Sequence, residues 1–216
     1  MNFKGVIFDL DGTLVDSLED LADSMNTVLL NYGYPIHDLD SYRYFIGNGI
    51  RNLVRSALPE SDREEASIAK CLGLMVKVYN ENCTRKTKPY EGIPDLLETL
   101  LNRGLKLGVF SNKADAMTKK IVSELFPGYF CIAIGLTDER FKKPDPSGAI
   151  RISEEFGLKP EEIVYIGDTG TDMQTAVNAG MKGAGALWGF RTREELLAGG
   201  AGNLLSHPLD LLALLQ

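Results

Sequence analysis

The chain is poor in the residues on which several common enzyme classes depend. It has two histidines among 216 residues and no G-x-S-x-G motif, which argues against a Ser-His-Asp hydrolase. Its three cysteines include no C-x-x-C pair, so a disulfide framework is not expected and a zinc site is disfavoured. The cysteines are therefore interpreted as the reduced thiols of a cytosolic protein.

Basic stretches and long apolar runs are also missing from the sequence. The net charge is −7 at pH 7 and no basic run occurs, which argues against nucleic acid as a partner. No apolar run is long enough to cross a membrane, and the chain begins with a strand pattern rather than a signal peptide, so a cytoplasmic location without membrane contact is expected. Because the overall charge repels anions, an anionic substrate would have to be bound by local cations.

The most informative stretch runs from Lys4 to Ser17 and reads K-G-V-I-F-D-L-D-G-T-L-V-D-S. Its β-branched and aromatic residues predict a strand buried on both faces, as in a parallel sheet. Asp9, Asp11 and Gly12 follow at the carboxyl end of this strand, where ligands bind in open α/β sheets. An Asp-rich turn is the plainer interpretation. A calcium loop is excluded because the required Gly and Glu are absent from their positions.

Hydrophobic periodicity divides the chain into two domains. Residues 16–86 contain three stretches of helical periodicity without a strand pattern, and they predict an all-helical inserted domain that acts as a cap over the site. Residues 1–15 and 87–216 alternate strand and helix patterns and predict a doubly wound, Rossmann-like α/β core with a parallel sheet. The core strands after the insertion are predicted at Leu105–Phe110, Phe130–Gly135, Ile163–Ile166 and Ala184–Trp188.

Polar residues follow the predicted strands at three further points. Ser111 and Asn112 come after the second strand, where a hydroxyl and a backbone amide can bind a phosphate oxygen, although a helix N-cap explains them as well. Lys143 precedes a proline in a stiff loop and is a candidate for a site cation. Asp168 and Asp172 follow the strand that ends at Ile166, before a helix predicted from Met173.

Two basic residues of the inserted domain are candidates for contact with a substrate anion. Arg51 lies where a glycine-rich loop enters a helix, and its guanidinium offers a fork of donors. Lys77 is a second candidate cation. A solvated surface charge is an equally good interpretation of each, so both remain open at this point.

The motif D-x-D-G-T-L-V-D-S at the end of the first strand resembles the opening motif of the haloacid dehalogenase superfamily. Ser111 matches the hydroxyl position of the second motif, and Lys143 matches the lysine of the third. Asp168 and Asp172 match the closing acidic pair. The motifs occur in the order found in that superfamily, with an insertion directly after the first, and the resemblance covers the whole chain.

This resemblance implies a phosphatase or phosphotransferase. Asp9 would be the nucleophile that forms an aspartyl-phosphate, and Asp11 would protonate the leaving group and then activate water. Mg²⁺ would be bound by Asp9, the Asp11 carbonyl, Asp168 and Asp172. The phosphoryl group would be bound by Gly12, Ser111, the Asn112 amide and Lys143. Four carboxylates in one pocket would require a hard cation, since each like-charged pair near 4 Å costs about 4 kcal/mol at an effective dielectric constant of 20.

The segment Trp188–Leu196, which reads W-G-F-R-T-R-E-E-L, resembles a late signature of phosphoglycolate phosphatases. The expected substrate is therefore a small phosphorylated metabolite, a phosphate monoester such as phosphoglycolate, and the expected assembly is a monomer or weak homodimer. A pyrophosphatase and a β-phosphoglucomutase-like phosphotransferase are alternatives within the superfamily. A non-catalytic phospho-aspartate switch, or a catalytically silent scaffold, is an alternative of a different class.

Overall fold

The computed structural model describes residues 3–215, so Met1, Asn2 and Gln216, at the ends of the predicted core domain, lie outside the described residues. The chain divides into two compact units. The α/β unit consists of the residues up to Val15 and those from Pro89 onward, and the helical unit is Asp16–Lys88. The second division lies two residues beyond the one predicted after residue 86.

Parallel strands form the centre of the α/β unit. In chain order the strands are β1 (Gly5–Phe8), β2 (Val15–Asp16), β3 (Lys88–Pro89), β4 (Lys106–Ala114), β5 (Ile132–Leu136), β6 (Ile163–Gly167), β7 (Lys182–Ala186) and β8 (Asn203–Leu205). Six of them form one sheet in the order β5-β4-β1-β6-β7-β8, and β2 pairs with β3. All pairings within the six-stranded sheet are parallel, which confirms the predicted doubly wound α/β fold.

Helices make up most of the helical unit and connect the strands of the sheet. In chain order they are α1 (Leu18–Asn31), α2 (Leu39–Phe45), α3 (Ile50–Ala57), α4 (Glu65–Asn82), α5 (Ile93–Asn102), α6 (Asp115–Leu125), α7 (Ser147–Phe156), α8 (Gly170–Asn178), α9 (Arg193–Ala198) and α10 (Leu211–Leu214). The first four of these helices belong to the helical unit. Within residues 3–215, no helix combines the length and the apolar character needed to span a bilayer.

β1 lies in the middle of the sheet and in the apolar core of the α/β unit. Every residue of Gly5–Phe8 is buried, because β1 pairs with β4 on one side and β6 on the other. Ile7 packs in one apolar cluster with Tyr165 of β6 and with Ile152 and Phe156 of α7. A strand with covered faces and two neighbours requires a continuous apolar run, which is the pattern seen in the sequence.

Several predicted boundaries differ from the structure. β4 does not end at Phe110 but continues to Ala114 with a shift in register, so Ser111 and Asn112 lie in an irregular strand and do not cap α6. α8 begins at Gly170 rather than Met173, because Thr169 caps it and brings Asp172 into the first turn.

The sequence-based prediction also placed the end of β7 too far along the chain and did not include α2 or β8. β7 ends at Ala186, whereas the prediction extended the strand to Trp188. α2 was not predicted, since only Tyr42 of its seven residues is buried and the apolar periodicity is weak. β8 was not predicted as a strand either, because three residues are too few to establish an alternating pattern.

Candidate active site

Three carboxylates meet at the carboxyl edge of the sheet. Asp9 follows β1 and Asp168 follows the neighbouring β6, while Asp172 lies in the first turn of α8. All three are buried, and one carboxylate oxygen of each lies within 4.8 Å of the others. Parallel neighbours end at the same edge of a sheet, so residues about 160 positions apart come together there.

Lys143 compensates part of the negative charge of these carboxylates. Its ammonium lies 2.6 Å from Asp172 Oδ1 and 2.7 Å from Asp9 Oδ1, and it donates to the Phe110 carbonyl at 3.3 Å. The contact with Asp9 is an ion pair without hydrogen-bond geometry, and Asp9 Oδ1 has no hydrogen-bond partner among the described residues. The backbone of Lys143 is positioned by Asn112, whose side-chain oxygen accepts from Lys143 N at 2.8 Å.

Burial and mutual repulsion change the protonation of the site. Burial, together with the charge of Asp172, raises the pKa of Asp9 to about 7 even though Lys143 acts in the opposite direction. Burial also raises the pKa of Asp168 well above its ordinary value, with further contributions from Asp172 and Asp9. Burial disfavours the charged form of Lys143, but the neighbouring Asp172 and Asp9 outweigh it and hold its pKa well above the usual value.

The orientation of Asp168 is determined by two other segments of the α/β unit. Thr13 Oγ1 donates to Asp168 Oδ1 at 3.1 Å, and the Phe190 N–H donates to Oδ2 at 2.8 Å. Gly12 has a φ of 86°, and a Cβ at this position would lie 2.3 Å from Asp168 Oδ2. The D-x-D-G turn can therefore approach Asp168 only because glycine occupies position 12.

Asp172 is oriented by the start of its own helix. Thr169 Oγ1 and Asp172 Oδ2 are 2.6 Å apart, and the Thr169 N–H donates to the same carboxylate oxygen at 3.1 Å. The Tyr165 hydroxyl lies 3.4 Å from Asp172 Oδ1. Asp172 thus combines a helix-capping role with its position in the carboxylate cluster.

Asp11 lies near the three-carboxylate cluster, because its charge contributes to the raised pKa of Asp9. Its two oxygens accept from Lys113 Nζ at 2.8 Å each, and its side chain is outside the three-carboxylate cluster. Lys113 therefore supplies a compensating charge for Asp11. Lys113 has no role that its sequence context predicts, since nothing local connects two residues that are 102 positions apart.

The remaining predicted site residues are distributed over both units. Ser111 is buried in β4, where its hydroxyl oxygen accepts from the Lys113 N–H at 3.3 Å. In the helical unit, Arg51 forms an ion pair with Glu65, and Lys77 is exposed on α4. Contact of Arg51 and Lys77 with a substrate remains a prediction.

The chemistry of the carboxylate cluster fits a magnesium ion. Asp9, Asp168 and Asp172 offer oxygen atoms only, which are the ligands that Mg²⁺ prefers. Asp9 Oδ1 is buried, and its one described polar contact is the Lys143 ammonium at 2.7 Å, so it retains a lone pair for a cation. One lysine cannot neutralise three carboxylates, so a divalent cation would relieve the remaining repulsion.

Sequence reasoning missed the residues that support these carboxylates. They are Thr13, Lys113, Thr169 and the N–H of Phe190. Only Thr169 had a local signal, because the spacing T-x-x-D before a helix is typical of a capping box. The other contacts join segments that are far apart in sequence.

Comparison with known proteins identifies the family. The model of the haloacid dehalogenase-like hydrolases matches residues 6–186. A phosphoglycolate phosphatase of Aquifex aeolicus is 36% identical over 98% of this chain and 96% of its own length. Another, from Pseudomonas putida, is 33% identical over 86% of this chain and 70% of its own.

The fold comparison agrees with the sequence comparison. A crystal structure from Lactobacillus delbrueckii subsp. bulgaricus is 29% identical and superposes with a TM-score of 0.92 over 100% of this chain and 99% of that one. The resemblance stated from the four motifs is thereby confirmed: the chain belongs to the haloacid dehalogenase-like hydrolases.

Proposed function

We propose that this protein is a magnesium-dependent phosphatase that hydrolyses a small phosphate monoester through an aspartyl-phosphate on Asp9. The observation that carries this proposal is the convergence of Asp9, Asp168 and Asp172, of which Asp9 and Asp172 contact the ammonium of Lys143. A buried nucleophile beside a cation and two further carboxylates suits phosphoryl transfer, where positioning and electrostatics supply most of the rate enhancement.

In the first step, a carboxylate oxygen of Asp9 attacks phosphorus and the bond to the leaving alkoxide breaks. Asp11, whose carboxylate is hydrogen-bonded to Lys113 in the free protein, takes up a proton before this step and gives it to that alkoxide, which departs as an alcohol. In the second step, Asp11 takes a proton from water, whose oxygen attacks phosphorus and breaks the bond to Asp9. Inorganic phosphate leaves, and both aspartates return to their initial states.

The other residues of the site bind and orient the phosphoryl group. Asp9, the Asp11 carbonyl, Asp168 and Asp172 would hold Mg²⁺, which supplies positive charge to the phosphoryl oxygens. The Lys143 ammonium, the Ser111 hydroxyl and the backbone amide of Asn112 are assigned to the same oxygens, and Gly12 allows the backbone of its turn to approach them closely. Lys113 holds the Asp11 carboxylate with two hydrogen bonds of 2.8 Å.

The proposed substrate class is that of phosphoglycolate. Two kinds of observation support it: relatives that are 36% and 33% identical are phosphoglycolate phosphatases, and the late segment Trp188–Leu196 resembles the signature of that group. Pyrophosphatase and hexose-phosphate mutase activity remain alternatives that a substrate panel distinguishes. The panel contains phosphoglycolate, other small monoesters, pyrophosphate and β-glucose 1-phosphate, each with MgCl₂.

The decisive variant is Asp9→Asn, which removes the nucleophile with little change in shape. We expect phosphate release to fall to background, because an amide cannot form the aspartyl-phosphate. The matched control is Asp95→Asn on the exposed face of α5, which should retain full activity. Full turnover by Asp9→Asn would refute the nucleophile. A wild-type phospho-aspartate that persists for hours without turnover would favour the switch instead.

A further inference from the structure

The segment Trp188–Phe190, which we call the 188–190 segment, has no role in the reaction proposed above. It follows β7 and belongs to the late signature noted in the sequence. Trp188 is the only tryptophan of the chain. The segment nevertheless contacts two parts of the site that are remote from it in sequence.

Two hydrogen bonds connect the 188–190 segment to the site. The indole Nε1 of Trp188 donates to the Thr13 carbonyl at 3.0 Å, in the turn that carries Asp9 and Asp11. The Phe190 N–H donates to Asp168 Oδ2 at 2.8 Å. Thr13 itself donates to Asp168 Oδ1 at 3.1 Å. The 188–190 segment, the turn and Asp168 are therefore each hydrogen-bonded to the other two.

Steric contact at the middle of the segment is equally close. A Cβ added to Gly189 would lie 2.3 Å from Asp168 Cβ and 2.4 Å from the Gly12 carbonyl oxygen. Both distances are well below van der Waals contact, and the second atom belongs to backbone that cannot rotate away. Position 189 therefore accepts no side chain unless Asp168 or the D-x-D-G turn moves.

We propose that the 188–190 segment is a positioning element that fixes Asp168 relative to the D-x-D-G-T turn and thereby sets the affinity of the metal site. Trp188 and Gly189 are positioning residues, since neither is assigned to substrate or metal. The inference rests on the proposed function, because it presupposes that Asp9 and Asp168 bind Mg²⁺. Groups that orient metal ligands commonly contribute about 10- to 100-fold to metal affinity.

The test compares two glycine variants of the same region. Gly189→Ala introduces the clash with Asp168, whereas a Cβ at Gly183 in β7 meets only ordinary contacts at 3.4 Å and 3.5 Å. Both changes restrict the unfolded chain equally. Trp188→Phe is a second variant that keeps an aromatic ring and removes the indole N–H. Mg²⁺ binding to each metal-free protein is measured by calorimetry at a temperature at which circular dichroism shows it folded, together with kcat and KM for the best substrate of the panel.

We expect Gly189→Ala to weaken Mg²⁺ binding about 10-fold or more, and Trp188→Phe to weaken it in the same direction. Gly183→Ala should match the wild type. In both positioning variants kcat at a fixed, subsaturating Mg²⁺ concentration should fall more than KM rises. If Gly189→Ala does not fold, the result for Trp188→Phe decides.

Wild-type Mg²⁺ affinity in Trp188→Phe and in any folded Gly189→Ala would overturn the inference, even if these variants unfold at a lower temperature. Such a result would leave the proposed function intact, because the wild-type protein would still bind Mg²⁺ and release phosphate. A wild-type protein that binds no Mg²⁺ would instead overturn the proposed function, and the inference with it.

Discussion

At the scale of single residues, the stability of the site depends on how the charges of Asp9, Asp172 and Lys143 offset one another. Lys143 contacts both carboxylates within 2.7 Å and is itself buried. A buried ion pair gains little net free energy because desolvation offsets the attraction, but removal of one partner is costly. Replacement of Lys143 should therefore have a much larger effect than replacement of a surface lysine.

We expect Lys143→Met to destabilise the metal-free protein by about 3 kcal/mol at pH 8, since two buried carboxylates lose their cation. Phosphate release should fall at least about 100-fold, as when one donor to a reacting oxyanion is removed. Urea unfolding in EDTA and a phosphate-release assay measure the two effects. Lys119→Met is the control, because Lys119 is exposed and its pair with Asp115 contributes about 0.5 kcal/mol or less. Equal stability of the two variants would contradict the assigned role of Lys143.

At the scale of secondary-structure elements, the start of α8 connects helix capping to the metal site. Thr169 accepts a hydrogen bond from Asp172 N, and the carboxylate of Asp172 accepts from the N–H of Thr169. Thr192 and Glu195 form a similar capping box at α9, and Glu195 is not one of the three clustered carboxylates. The chain thus contains two similar caps, of which one orients a predicted metal ligand.

We expect Thr169→Ala and Thr192→Ala each to lower the free energy of unfolding by about 1 kcal/mol, because each removes a capping side chain. Only Thr169→Ala should also weaken Mg²⁺ binding, since Asp172 loses the hydroxyl that orients it. Urea unfolding and calorimetric titration separate the two effects. An equal Mg²⁺ affinity for both variants would show that the cap does not orient the ligand.

A second prediction at this scale concerns the two ends of the helical unit. The buried carboxylate of Asp20 in α1 accepts from the Lys86 N–H, the Thr87 N–H and the Thr87 hydroxyl, at 2.7–3.1 Å. Asp20→Asn should destabilise the protein by about 1–3 kcal/mol, because an amide NH₂ replaces one acceptor oxygen opposite buried donors. The midpoint of urea unfolding is the measurement.

Asp23→Asn is the matched control for Asp20→Asn. Asp23 lies one turn further along α1 but is exposed, and it pairs only with the Lys86 ammonium at 2.8 Å among the contacts described for its carboxylate. Its replacement should change the free energy of unfolding by less than about 1 kcal/mol. A larger effect at Asp23 than at Asp20 would refute the importance of the buried network.

At the scale of the whole molecule, the carboxylate cluster links folding to pH and, through the proposed Mg²⁺ site, to metal binding. The folded protein holds protons on Asp9 up to about pH 7, whereas the ordinary pKa of 3.8 applies in the unfolded chain. The pKa of Asp168 is raised in the same direction. Between about pH 4 and pH 7 the folded state therefore binds more protons, and these two groups make the metal-free protein less stable as pH rises.

Magnesium binding should reverse this pH dependence, because it requires deprotonated carboxylates. We expect the increase in melting temperature caused by MgCl₂, relative to EDTA, to be larger at pH 8 than at pH 5. Thermal unfolding at both pH values measures this increase. Because MgCl₂ and EDTA are compared at the same pH, the titration of surface groups affects both melting temperatures equally and does not contribute to the increase. Asp168→Asn should show a smaller increase at pH 8. An increase that is equal at both pH values, or larger at pH 5, would contradict the assignment of Asp9 and Asp168 as ligands.

The sequence by itself determined the architecture and the positions of the polar residues at strand ends. The apolar runs of β1 and β6 are long enough to specify buried parallel strands, and Asp9 and Asp168 follow them directly. Burial and turn formation depend on neighbouring residues, so local patterns contain this information. The family resemblance indicated the type of reaction. It did not depend on the bounds of β4 and α8, which were predicted incorrectly, because the motifs are recognised by their residues and their order.

Only the tertiary structure decided which partners these residues have. Lys113 binds Asp11 across 102 residues, Thr13 binds Asp168 across 155, and Trp188 binds Thr13 across 175. These contacts depend on the order of strands in the sheet and on where each strand ends, which no local pattern specifies. A hydrogen bond requires its two atoms within about 3 Å, and the folded sheet alone brings the ends of β1, β4, β6 and β7 that close together.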